Sequence, residues 1–129
     1  MTSPPTARTV LRRAALAAAG GAVGTAARLG LGMLIADAPA SVLVANIVGA
    51  MLLGILTARL PASDLRILLG TGVLGGFTTY SAFAVDSIGL WSASPALAAG
   101  YVAASLIGGL LAAWIGLRVG GSLGRRSAS

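Results

Sequence analysis

Thr78, Thr79 and Ser81 place hydroxyls side by side in an apolar segment, with Gly75-Gly76 just before them and Tyr80 and Phe83 among them. Such a run makes a poor continuous helix. Where a membrane helix opens, its carbonyls and N–H groups lose their intrahelical partners. Lipid does not replace those partners, so an opening requires protein, water or an ion. Transporters build mid-depth ion sites from broken spans of this kind. Freed carbonyls suit a hard cation without any acidic side chain. Tyr80 and Phe83 stand three residues apart and share a face, and aromatic ring edges carry positive partial charge. A ring edge, an Asn amide and several hydroxyls together donate to a small anion without a full positive charge. From the residues alone two readings stay open: an ion pathway, or a glycine kink with ordinary aromatic packing.

The other polar groups in apolar surroundings are few. Asn46 sits near the start of a second apolar segment, where it serves either an interhelical hydrogen bond or a pathway. Arg28 lies inside the first. It either snorkels to an interface or lines a vestibule that attracts anions. Tyr101 and Ser105 are four residues apart on a fourth segment and share a face. Packing, with the serine bonding back to its own helix, is the alternative use of that pair.

The elements that must position these residues are membrane helices. The chain has 129 residues, 57% hydrophobic and 9% charged, with a mean hydropathy of +0.93. A soluble domain carries about 25% charged residues. Cysteine and histidine are absent, which removes disulfides, thiolate nucleophiles, the usual zinc ligands and imidazole acid–base chemistry. No nucleophile–base pair stands out, so an enzyme is not expected. The net charge of +6 does not indicate nucleic acid, because the arginines are scattered between apolar segments without interleaved aromatics.

A span needs roughly 20 predominantly apolar residues. Four segments qualify, at about 14–36, 42–60, 65–90 and 96–119, with the third interrupted at the hydroxyl cluster. Short connections containing Pro39, Pro61 and Pro95 separate them, and residues 1–9 and 120–129 read as disordered tails. The expectation is one all-α membrane domain with its third helix broken mid-membrane. Small residues recur four apart: Gly20 and Gly24, Ala45 and Gly49, Ala50 and Gly54, Gly72 and Gly76, Gly116 and Gly120. Such pairs let helix backbones approach closely.

Three stretches resemble the CrcB/Fluc family of fluoride channels. GGAVGTAAR (20–28) is similar to that family's first-span GGxxGxxxR. LVANIVGAMLLG (43–54) is similar to its second-span VNxxGxxxLG. GTGVLGGFTTYSAF (70–83) is similar to its GxxGGxTTFSTF, the most specific of the three. The resemblance implies an antiparallel dimer with fluoride pores. It also implies a structural sodium ion at the dimer centre, bound by backbone carbonyls of the broken third helices. Carried over by position, those carbonyls belong to Gly75 and Thr78. The fluoride path takes Asn46, Thr79, Tyr80, Ser81 and Phe83, with Tyr101 and Ser105 on the fourth span and Arg28 at a vestibule. Two positions depart from the pattern. Tyr80 replaces a Phe, which changes the ring's polarity and reach, and Ala82 replaces a Thr, which removes a hydroxyl.

The function implied is passive, selective export of cytoplasmic fluoride across the cell membrane. Small multidrug exporters have a similar length and span number, but their proton coupling needs a buried glutamate, and this chain has none; its three aspartates read as lying at or near loop boundaries. A non-transporting scaffold subunit is the remaining alternative. Arg8, Arg12, Arg13, Arg59, Arg66, Arg118, Arg125 and Arg126 all fall on one side of a four-span chain, and only Arg28 is left for the other. That bias predicts cytoplasmic termini. An antiparallel homodimer needs chains inserted both ways, so two partners stay open: an oppositely oriented relative, or a second copy of the chain whose insertion tolerates the bias.

Overall fold

The computed structural model of the chain describes residues 5–126, with side chains through residue 122. Among these residues the regular structure is entirely helical. Helix α1 spans Ala7–Leu34 and α2 spans Ala38–Arg59. The third span is composite: a turn of α3 (Asp64–Arg66), a π-helical segment (Ile67–Leu74), a turn of α4 (Gly75–Phe77), then α5 (Tyr80–Ala93). Helix α6 runs Pro95–Arg126. The four resulting spans are each long and apolar enough to cross a membrane.

Local signals fix the boundaries and shift the expected ones. The Thr6 side chain accepts from the Thr9 N–H, so α1 starts at Ala7, well before residue 14. Asp37 accepts from the Ala40 N–H at 2.8 Å. Pro39 therefore lies in the first turn of α2, where its missing N–H is not needed, and the proline marks a start rather than a gap. Ser94 caps α6 in the same way, just before Pro95. The expected tails are correspondingly shorter: residues 7–9 and 120–126 are helical. Gly120 explains the C-terminal extension, since it packs against Ile55 and Ala58 of α2. Residues 1–4 and 127–129 of the expected tails lie outside the described residues.

Two helix pairs make up the chain, and small residues hold each pair. Gly20 of α1 faces Gly72, where an added Cβ would lie 2.9 Å from the Gly72 Cα. Gly24 meets the Val73 carbonyl and the Phe77 amide, and Gly76 sits on Gly21. Helix α1 is thus laid along the π-helical segment and α4 with backbones nearly touching. In the other pair, Gly54 abuts Ala113 and Leu117, and Gly116 abuts Met51 and Ile55, so α2 lies along α6. Dispersion between close backbones is the available driving force, because lipid tails are as apolar as the side chains. The pairs meet loosely, and among the described residues no large side chain is fully buried.

The arginine distribution has a spatial counterpart. Arg12 and Arg13 of α1 both reach Asp64 at the start of α3. Arg59 ends α2, and α6 reaches the same end beside Ala58. Arg118 lies over the Trp114 ring at 5.0 Å.

Candidate functional site

The opening in the third span is two residues long. Thr78 (φ −79°, ψ 156°) and Thr79 (φ −149°, ψ 124°) are extended, with helix on both sides. Gly75 and Gly76 are not part of it. They form the single turn of α4, and Gly75 has ordinary helical angles. The sequence expectation of a break that includes Gly75-Gly76 is therefore corrected: Gly76 packs against Gly21, Gly75 has no close neighbour, and no glycine here takes a positive φ.

Asn46 holds the opening. Its Nδ2 donates to the Thr79 carbonyl at 3.0 Å, and its Oδ1 accepts from the Thr79 N–H at 2.8 Å. One side-chain amide thus partners both backbone groups of one residue. The Thr78 hydroxyl and N–H both donate to the Leu74 carbonyl at 2.9 Å, closing α4. The Thr79 hydroxyl accepts from the Ala82 N–H at 3.2 Å and so caps α5. It also pairs with the Ser81 hydroxyl at 3.2 Å.

This bonding releases particular carbonyls. In an unbroken helix the Gly75 carbonyl accepts from the Thr79 N–H, but that N–H goes to Asn46. The Thr78 carbonyl would accept from the Ala82 N–H, which goes to the Thr79 hydroxyl. Between them, the Gly76 carbonyl takes longer bonds from Thr25 Oγ1 and Arg28 Nε, both at 3.4 Å. Arg28 thus reaches inward to the break and does not snorkel. The Gly75 and Thr78 carbonyls thus lose their helical donors, and so do those of Gly76 and Phe77, which no Tyr80 or Ser81 N–H reaches.

A cleft of about 410 Å³ lies against the break. Asn46, Gly75, Thr78, Thr79, Tyr80, Phe83 and Ser105 line it, beside apolar Leu53, Leu74 and Leu106. Ser81, Tyr101 and Arg28 do not line it. Tyr101 is buried behind Phe83 with ring centroids 5.6 Å apart, and Tyr80 lies 6.0 Å from Phe83 on the other side. Tyr80 itself is 80% exposed. Among the described residues, the Tyr101 hydroxyl, the Ser105 hydroxyl and Asp86 Oδ2 are buried atoms without a hydrogen-bond partner. Buried polar atoms ordinarily have one, in protein or water.

Two features escape sequence reasoning. Thr25 supports the Gly76 carbonyl, yet it looks like one more small residue of α1. Asp86 is not at a loop boundary. It sits within α5, one turn beyond Phe83. Asp37 and Asp64 do stand at helix starts.

Comparison with known proteins gives a consistent set of relatives. Residues 15–117 match the family described as CrcB-like protein, Camphor Resistance (CrcB). Two proteins of Rhodococcus jostii are similar to the chain. One, named Fluoride-specific ion channel FluC 2, is 41% identical over 81% of this chain and 95% of its own length. The other, named Fluoride-specific ion channel FluC 1, is 45% identical over 82% of this chain and 83% of its own length. A Paracoccus denitrificans protein named Fluoride-specific ion channel FluC is 44% identical over 82% of this chain and 92% of its own length. With a composite third span, an asparagine-held break and relatives matched across nearly all of their length, the chain belongs to the CrcB/Fluc family.

Proposed function

We propose that the chain forms a passive, fluoride-selective path through the cell membrane and lets cytoplasmic fluoride leave down its gradient. The observation that carries this reading is the donor set at the cleft. Asn46 Nδ2 has two N–H groups, and one is committed to Thr79, so the other is free to donate. Ser105 lines the cleft and its buried hydroxyl has no hydrogen-bond partner among the described residues, and Tyr80 and Phe83 line the cleft as well. Fluoride is small and hard and demands close, strong donors. A larger anion such as chloride gains less from the same groups. Hydrogen fluoride crosses lipid as a neutral weak acid and ionises inside the cell, so a passive path suffices for export. No step calls for a nucleophile or an ATP site.

The break also fits a sodium ion. Among the described residues no cluster of three His, Cys, Asp or Glu side chains is present, so a resident cation falls to backbone oxygen. The Gly75 and Thr78 carbonyls, both deprived of helical donors, would hold it. When bound, such an ion would tie broken spans together without taking part in transport. The chain's own contribution is to keep those carbonyls clear of N–H partners, through Asn46 and the Thr79 hydroxyl.

Pairing with a second, antiparallel chain is part of the proposal. Tyr80 lines the cleft yet is largely exposed, which suits a surface completed by another subunit. The arginines at one end of the bundle favour cytoplasmic termini. The partner is then an oppositely inserted relative, in keeping with the occurrence of two similar proteins in one organism. Growth of bacteria stripped of their own fluoride exporter tests the function. The chain, expressed alone and with a related chain, is expected to restore growth in millimolar fluoride, whereas its Asn46→Ala variant is not. Absence of rescue in both settings, with membrane insertion verified, would overturn the proposal.

A further inference from the structure

Between α2 and the π-helical segment lies a groove of about 360 Å³. Leu52, Leu56 and Leu60 wall it on one side, Leu69 and Val73 on the other. Every residue that lines it is aliphatic except Arg59. From this pairing of an apolar groove with one terminal cation, we infer that the groove binds an anionic phospholipid, with an acyl chain along the groove and the phosphate on Arg59. The inference goes beyond the fluoride reading and does not depend on it.

Length, charge and position all argue for that occupant. From Leu52 to Arg59 the groove follows α2 for roughly 10 Å, about two-thirds of one leaflet of a 30 Å hydrocarbon core. Its polar end is the end of the span. Arg59 is the last residue of α2, where a long side chain brings its charge to headgroup level. Arg59 is exposed and, among the described residues, makes no hydrogen bond or ion pair. None of the three aspartates is placed to take it. Asp64 is engaged by Arg12 and Arg13, Asp37 caps the opposite end of α2, and Asp86 lies in α5 beyond the break. The complementary anion then comes from outside the chain, and beside a lipid-filled groove that anion is a headgroup phosphate. Basic pockets between membrane helices on the cytoplasmic side take anionic headgroups for this reason. The groove also occupies a different face of α2 from the one assigned above to a second subunit. Asn46, Gly49 and Leu53 face the cleft, whereas Leu52, Leu56 and Arg59 lie about a third of a turn round the helix. Only Leu74 lines both. Its carbonyl accepts from the N–H and the hydroxyl of Thr78, so an acyl chain in the groove backs the end of α4 and steadies the break.

The test is native mass spectrometry of the full chain, with any partner it requires, against phosphatidylglycerol and phosphatidylcholine of identical acyl chains. The wild type is expected to retain phosphatidylglycerol about fivefold over phosphatidylcholine, the effect of one cation at a lipid surface. Arg59→Gln should bring the two to parity, and Arg59→Lys should restore the preference. Arg66→Gln removes a charge outside the groove and should leave it unchanged. Leu52→Trp fills the groove from a position that is 41% exposed and should cut retention of phosphatidylglycerol several-fold. Phosphatidylglycerol should also raise the unfolding midpoint of the wild type, followed by tryptophan fluorescence, and leave that of Arg59→Gln unmoved. Equal retention of the two lipids by the wild type, or an undiminished preference in Arg59→Gln, would overturn the inference. Displacement of the lipid by soluble glycerol phosphate would reassign Arg59 to a free phosphate, and a Leu52→Trp chain that loses its partner while keeping its lipid would give the groove to a second subunit; each overturns it as well. None of these readouts is fluoride transport, so the function proposed above stands or falls separately.

Discussion

At the scale of single residues, Asn46 organises the site. Its amide makes two hydrogen bonds to the backbone of one residue 33 positions away in sequence. Leaving a buried backbone group unpaired costs about 1–3 kcal/mol. Asn46→Ala exposes both groups of Thr79 and is expected to destabilise the chain by about 2–4 kcal/mol, read as a lower midpoint of thermal or denaturant unfolding. Asn46→Asp is the sharper variant. It keeps an oxygen for the Thr79 N–H but turns a second oxygen toward the Thr79 carbonyl, and it places negative charge beside an anion path. Fluoride efflux should fall more steeply than stability. An Asn46→Asp protein that conducts at the wild-type rate would dissociate the asparagine from the pathway.

At the scale of elements, the glycines of the third span do different work from one position to the next. Gly76 sits on α1, where a Cβ would lie 2.9 Å from the Gly21 Cα, whereas the nearest atom to a Cβ on Gly75 is 3.7 Å away. Gly76→Ala is therefore expected to destabilise the chain by about 1–3 kcal/mol through overpacking, and Gly75→Ala to leave folding of the single chain intact. Trp91 and Trp114 provide intrinsic fluorescence to follow both. Equal loss at the two positions would refute this division. Thr79→Ala removes the α5 cap and should cost about 1 kcal/mol. Part of this was legible in the sequence. Hydropathy gives four spans, and the Thr78-Thr79 pair marks a broken third helix. The exact extent of the break was not legible, because the competing role of Gly75-Gly76 depends on which helix packs against them. The π-helical segment at Ile67–Leu74 has no compositional signature. The Asn46–Thr79 clamp joins two spans, and no single stretch encodes that pairing.

At the scale of the whole molecule, two glycine-zipped helix pairs meet loosely and leave a cleft between them. This arrangement explains how a four-helix chain has room for polar lining. The gathering of arginines at one end makes orientation testable. Reporter fusions to the C-terminus, expressed without any relative, are expected to give a cytoplasmic signal only, and an even split between the two sides would refute a fixed orientation. The most direct measurement of the central claim is anion release from liposomes containing the assembled protein, followed with fluoride and chloride electrodes in the same sample. The account predicts rapid fluoride release with chloride retained; equal release of the two ions, or none from protein verified as assembled, would contradict it.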